Sequence, residues 1–242
     1  MAVRIDLQPA YVLHTQPYQN TSLLVDLFCL DHGRLRAVAK GARRPTSRIR
    51  SLLQPFQPLL VTMVGRSELK TLSGVEGSVG PFNLYGPRLF SGLYLNELLI
   101  RLMLPNEGQS ELYNSYQNAV IALQGERDLN IILRQFELSL LDELGYGINL
   151  ETESQSGIPI DLNACYLFHP AVGFERVADA AGRRSQHAAI FTGREIIALR
   201  DLELAEKSFS NAARRLTRIA LQSHLGEVPL MSRELFLRQP SQ

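Results

Sequence analysis

The chain has 242 residues, 45% of them hydrophobic, with 25 basic and 24 acidic side chains and a formal net charge of +1. That apolar share excludes a disordered chain, and the length allows one large domain or two to three small ones. Two cysteines, Cys29 and Cys165, exclude a disulfide-stapled scaffold and a cysteine-rich zinc module, and no apolar run approaches the ~20 residues needed to span a bilayer. The start at Met1 shows no basic segment followed by an apolar one, so the expectation is a soluble cytoplasmic protein without a membrane partner.

Residues 1–80 read as strands. Tyr11–His14, Thr21–Leu30, Arg34–Lys40, Leu59–Val64 and Leu69–Ser73 are short β-prone runs, and Asp31-His32-Gly33 is a turn between two of them. Five short strands without helical periodicity suit a small barrel. Near Gly80-Pro81 the pattern changes to helix. A first helix carries Leu89, Leu93, Leu95, Leu98, Leu99, Leu102 and Met103 and closes at Pro105. A second spans Gln109–Gln124, and a third runs from an Asp128 cap to Leu144 and stops at Gly145. Residues 146–190 read as irregular, with Gly157, Pro159, Pro170, Gly173 and Gly182. A fourth helix starts at Gly193 behind a Thr192 cap, and a fifth spans about Glu206 to His224 before Gly226. The fold class is therefore α+β, with three expected domains: a barrel over 1–80, a helical domain over 81–150, and an irregular region with C-terminal helices over 151–242.

The small net charge conceals a partition. Residues 1–80 carry +5, residues 81–163 carry −7 and residues 164–242 carry +3. Between Asp31 and Glu68 there is no acid at all, yet Arg34, Arg36, Lys40, Arg43, Arg44, Arg48, Arg50 and Arg66 all fall there. Arginine outnumbers lysine 22 to three, and its planar fork bonds phosphate at two points and stacks on bases. Period 2 puts Arg34 and Arg36 on one face of their strand. A basic strand face beside a basic loop, on a small barrel, suits a nucleic-acid strand, with Tyr11, Tyr18, Phe28 and Phe56 as nearby aromatics. The apolar neighbours of Phe28 favour a core position for that ring. The competing reading of the arginines is a solvated face.

A second basic stripe lies on the fifth helix. Lys207, Arg214 and Arg218 fall within about 40° of one another at ~100° per residue, with Phe209, Ala212, Leu216, Ile219 and Ala220 opposite. The third helix is apolar on two sides, one side carrying Ile131, Leu138 and Leu141 with Arg134 projecting among them. Arg134 is read either as a core residue paired to Glu137 or Glu97, or as the cation at the rim of a pocket for an acidic, hydrophobic peptide tail.

Enzyme signatures are missing. Gly41–Ser47 lacks the ending of a phosphate-binding loop, and Pro45 removes one of its N–H groups. The five histidines, 14, 32, 169, 187 and 224, form no His-x-x-x-His pair, and His169 and His187 read as surface or turn residues rather than ligands. No metal and no cofactor is expected, and a binding protein is favoured over an enzyme. An RNA-binding protein of translation or ribosome assembly remains an alternative, as does an enzyme with an unrecognised site in 146–190.

Several segments also resemble a known family. Ala10–His14, Ala39–Arg43, Leu53–Phe56, Gly92–Leu99, Phe136–Leu138 with Leu144–Gly147, and Ser232–Phe236 are similar, in order and spacing, to the bacterial RecO recombination mediators of enterobacterial type. The resemblance implies an N-terminal OB barrel, binding of single- and double-stranded DNA, and annealing of complementary strands. It implies work beside the nucleoid with RecR, and in some lineages RecF, to load RecA on DNA coated by single-strand-binding protein. That coat protein ends in an acidic tail with a terminal Phe, the kind of ligand that suits Arg134. The family's DNA surface maps onto Arg34–Arg50. Several members hold zinc with four cysteines after the third helix; only Cys165 stands there in this chain, so the domain carries over and the metal does not. A monomer is the working expectation for assembly.

Overall fold

A computed structural model describes residues 4–177 and 189–237, with no account of the side chains of Phe236 and Leu237. The chain divides into two compact units, residues 1–126 with 229–242, and residues 127–228.

The first unit opens with five strands: β1 (Arg4–Tyr18), β2 (Ser22–Cys29), β3 (Gly33–Ala39), β4 (Leu59–Val64) and β5 (Leu69–Gly77). They form a closed barrel in the order β1-β2-β3-β5-β4. Closure is the work of β1, which is longer than its sequence suggests because it serves two partners. Its first half pairs with β4 and its second half with β2. The registers shift between Ile5 and Gln8 and again between Val12 and His14, and Leu7 sits at φ 45° in the first irregularity. Bulges of this kind bend a strand so that it can turn a barrel corner. The interior is filled by alternate residues of the strands, including Val12, Val25, Leu27, Leu35, Ala37, Val61 and Met63. The OB-type barrel and the α+β class are as expected.

Three helices complete the unit: α1 (Gly86–Leu102), α2 (Ser110–Ala122) and α6 (Met231–Leu237). Tyr11 and Phe28 point out of the barrel and into α2, their rings 5.2–5.9 Å from those of Tyr113 and Tyr116. The Tyr116 hydroxyl donates to Asn96 Oδ1 at 2.7 Å, and Asn96 Nδ2 donates to the Leu13 carbonyl at 3.0 Å, so α1, α2 and β1 share one buried network. The short α6 had no counterpart in the sequence reading. Its first turn is held by Glu97 of α1, whose carboxylate accepts from Met231 N, Ser232 N and Ser232 Oγ at 2.6–2.8 Å.

The second unit contains α3 (Leu129–Glu143), α4 (Gly193–Arg200) and α5 (Lys207–Leu225). Asp128 caps α3 by accepting from Asn130 N and Ile131 N. Thr192 and Glu195 form a reciprocal capping box on α4. The stretch expected to be irregular holds a three-stranded antiparallel sheet, β6 (Cys165–His169), β7 (Gly173–Val177) and β8 (Ile190–Thr192), in the order β7-β6-β8. It is held by an aromatic cluster rather than by aliphatic area. Phe168, Phe174 and Phe191 pack at 5.0–6.5 Å, and Tyr166 meets Phe174 edge-on at 6.4 Å. Beside them the buried Glu153 accepts from Arg176 Nε at 2.7 Å. Hydrogen bonds from Ser156 and Arg176 hold the Glu153 carboxyl below its usual range.

Candidate nucleic-acid interface

The basic segment resolves into two chemically different parts. The first is the connection from β3 to β4. Ala42 and Leu53 are buried in the barrel core, and Ile49 and Leu52 pack against it. Arg43 N donates to the Thr21 carbonyl at 2.8 Å, and Leu52 and Leu53 both turn back on the Ile49 carbonyl. The loop is therefore anchored by its apolar positions, and Lys40, Arg43, Arg44, Arg48 and Arg50 are left exposed between the anchors. Arg43 Nη1 donates to the Gln19 carbonyl at 3.3 Å. Lys40, Arg44, Arg48 and Arg50 make no ion pair among the described residues. Four unneutralised cations on an ordered loop can meet phosphates without first breaking other bonds, and each phosphate met releases counterions.

The second part is β3 itself. Arg34 and Arg36 do share the outward face, but neither is a free cation. Arg36 donates to both carboxylate oxygens of Asp26 at 2.9 and 3.3 Å, directly across the β2–β3 ladder. Arg34 Nη1 donates to the Ile100 carbonyl at the end of α1 at 2.5 Å. Both arginines line a cleft of about 350 Å³ with Tyr18, Asp26, Glu68 and Leu69. The far rim is the α1–α2 connection, where Asn106 N donates to the Arg34 carbonyl at 3.0 Å. Gly33, at φ 62°, lets that connection approach, since a Cβ there would lie 1.7 Å from the Glu107 carbonyl oxygen.

Of the four aromatics considered for base stacking, three are consumed by the fold. Tyr11 and Phe28 are fully buried against α2, and Phe56 is buried beside Gly92 of α1. Burial pushes the phenols of Tyr11, Tyr113 and Tyr116 up, which keeps them neutral hydrogen-bonding groups. Only Tyr18, half-buried at the cleft, remains placed to meet a ligand. Cys29 is a core residue whose thiol is pushed up by burial and by Asp31, so it is no nucleophile.

On α5 the expected stripe is present. Lys207, Arg214 and Arg218 are exposed, with Asn211 and Gln222 in the same row, while Ala212, Leu216 and Ala220 are buried. Arg215 lies off that row, 4.4 Å over the Phe191 ring, and donates to the Ile190 carbonyl. Phe209 and Ile219, expected inward, are half-buried.

Arg134 does not sit at an open rim. It is 4% exposed, and its Nε and Nη2 donate to Glu137 Oε2 and Oε1 at 2.6 and 2.5 Å. Spacing of three residues on α3 puts that carboxylate within reach, so the guanidinium is an interior ion pair. Leu141 is buried with it, and Ile131 and Leu138 are half-buried. Elsewhere, His169 lies 3.6 Å from Glu175, and His187 lies outside the described residues. No group of three or more His, Cys, Asp or Glu converges as a metal-ligand set among the described residues.

A model of the recombination protein O N-terminal region matches residues 3–79, and its C-terminal counterpart matches residues 86–234. The chain belongs to the RecO family. A Tolumonas auensis protein named DNA repair protein RecO is 44% identical over 232 residues, covering 96% of this chain and 95% of its own length. Proteins of the same name from Haemophilus influenzae and Coxiella burnetii are 41% and 39% identical, covering 96% and 97% of this chain and 95% and 99% of their own. Membership places the chain among proteins of DNA repair and recombination. Among the described residues no helix is long and apolar enough to cross a membrane.

Proposed function

We propose that this chain is a non-catalytic DNA-binding mediator of recombinational repair. It holds single- and double-stranded DNA on the β3–β4 loop and along the outer row of α5. It anneals complementary strands and, with RecR, helps load RecA onto DNA coated by single-strand-binding protein in the cytoplasm. One observation carries the DNA-binding part: an apolar-anchored loop on a closed barrel presents Lys40, Arg44, Arg48 and Arg50 exposed and without ion pairs among the described residues. The partners and the annealing step rest on the family resemblance. Docking of an acidic tail on α3 requires a ligand carboxylate to replace Glu137 on Arg134.

The test is Arg44→Glu with Arg48→Glu in the full chain, read by DNA affinity across a salt series. Each lost phosphate contact lowers the slope of log K against log[salt] by about 0.9 on duplex and about 0.7 on single strands. A slope reduced by about 2 on duplex, with annealing of bare and coated strands weakened together, supports the reading. Unchanged affinity and slope with the fold intact overturn it. Competition by single-stranded RNA as effective as by DNA overturns the choice of polymer.

A further inference from the structure

The cleft on β3 does not suit a phosphate. Asp26 already neutralises Arg36, Arg34 is bonded to a backbone carbonyl, and Glu68 adds a carboxylate without an ion pair among the described residues. A polyanion's backbone entering here would meet as much negative charge as positive. The walls suit something flat and neutral. Its lining includes the half-buried Tyr18 and the exposed Leu69, and the volume of about 350 Å³ lies at the small end of ligand sites, with room for one base and its sugar. The cleft also lies on the outward face of β2 and β3, next to the β4–β5 turn, where OB barrels take oligonucleotides. Its rim is fixed by the hydrogen bond from Asn106 to Arg34 and by the close approach of Glu107 to Gly33, so the cleft is preformed.

We propose that this cleft seats one unstacked nucleobase of a single strand and favours a base with an exocyclic amine over thymine. This inference rests on the DNA-binding reading above and refines it. The aromatic wall supplies contact to the face of the base. The Glu68 carboxylate accepts from the amine of cytosine, adenine or guanine, whereas thymine offers two carbonyls around a single N–H and is repelled. Arg36, half exposed at its side chain, keeps N–H groups for the acceptors of the same base. A paired base cannot enter, because its edge and both faces are occupied in the duplex. The loop then grips any DNA, and the cleft adds a contribution that only a single strand can claim.

Fluorescence anisotropy of the full chain with dC and dT homopolymers of equal length, and with a duplex, tests this. The wild-type chain is expected to bind dC at least about fivefold more tightly than dT, the low end of base-edge discrimination. Glu68→Ala is expected to collapse that ratio to one, whatever the lost negative charge does to both affinities. Tyr18→Ala is expected to weaken single-strand binding about tenfold, within the range for one base–aromatic stack, with duplex binding unchanged and Tyr18→Phe restoring it. A dC:dT ratio of one in the wild type overturns the amine preference. Tyr18→Ala that weakens single strand and duplex alike, or neither, at unchanged thermal midpoint overturns the base seat. The Arg44→Glu, Arg48→Glu chain in the same assay separates the two claims. If it loses both polymers while Tyr18→Ala loses neither, the seat fails and the DNA-binding loop stands. If charge reversal leaves both polymers bound, the DNA-binding reading fails.

Discussion

Replacing Glu137 by Gln is a sharp probe of α3. The carboxylate is 1% exposed and takes two short hydrogen bonds from a guanidinium that is itself 4% exposed. Gln keeps the shape and removes the charge, so Arg134 becomes a buried cation facing a neutral amide. Breaking a buried pair from one side costs about 3–5 kcal/mol, far more than the intact pair contributes over an apolar substitute. For a chain of this length each kcal/mol moves the thermal midpoint by about 2–4 °C, so Glu137→Gln is expected to lower it by roughly 6–20 °C. Removing both partners, as Arg134→Met with Glu137→Leu, is expected to recover most of the loss. Circular dichroism melts and urea titrations of the two variants measure both effects. A loss below about 1 kcal/mol in the single variant, the value of a surface pair, would refute the interior ion pair. The same physics bears on tail docking. Arg134→Glu would set two carboxylates together in the interior, so peptide binding lost in that variant would be confounded with unfolding. Leu138→Ala, at a half-buried position without charge, separates the two.

Three further outcomes follow from the geometry. Gly33→Ala is expected to cost about 2 kcal/mol or more, because the new methyl meets the Glu107 backbone at φ 62° and cannot turn aside; urea unfolding measures it. Glu97→Ala is expected to raise amide exchange and proteolytic cleavage over 229–237 by removing three hydrogen bonds from the first turn of α6, with the barrel amides unaffected. Glu153 has a folded pKa below its unfolded one, so its contribution is complete above the unfolded value of ~4.3 and is lost as pH falls through the lower folded value. The difference in thermal midpoint between the native chain and Glu153→Gln should therefore be widest at neutral pH and close in acid; a difference that widens in acid would show the opposite sign.

Much of the fold was legible because the punctuation was local. Asp128 and Thr192 marked two helix starts, Gly145 and Gly226 marked two ends, and period 2 put Arg34 and Arg36 on one face. The three short strands β6, β7 and β8 escaped because three to five residues between glycines and prolines are too few to establish a period. The alternation of Tyr166 and Phe168 was the one signal available. Two features of the site depend on pairings that the linear order of residues does not display. The stretch between Asp31 and Glu68 is free of acid only along the chain, because Asp26 lies across the ladder from Arg36. Tyr11 reads as available because a barrel strand has an outward face, whereas the apolar neighbours of Phe28 already mark it as core; α2 is what covers both rings. The first contact crosses a hairpin and follows only once the register of that hairpin is fixed; the second joins residues so far apart that no window along the chain contains them.

The return of residues 229–237 to the first unit bears on how the protein is made and how it can be taken apart. The barrel and its helices leave the ribosome early, yet the face of α1 that receives α6 stays bare until about a hundred further residues have been added. The first unit is thus finished last, after the whole of the second has been synthesised inside it. A fragment cut after Glu126 would be an incomplete unit with Glu97 uncapped, so a faithful excision must join 126 to 229 by a linker rather than truncate.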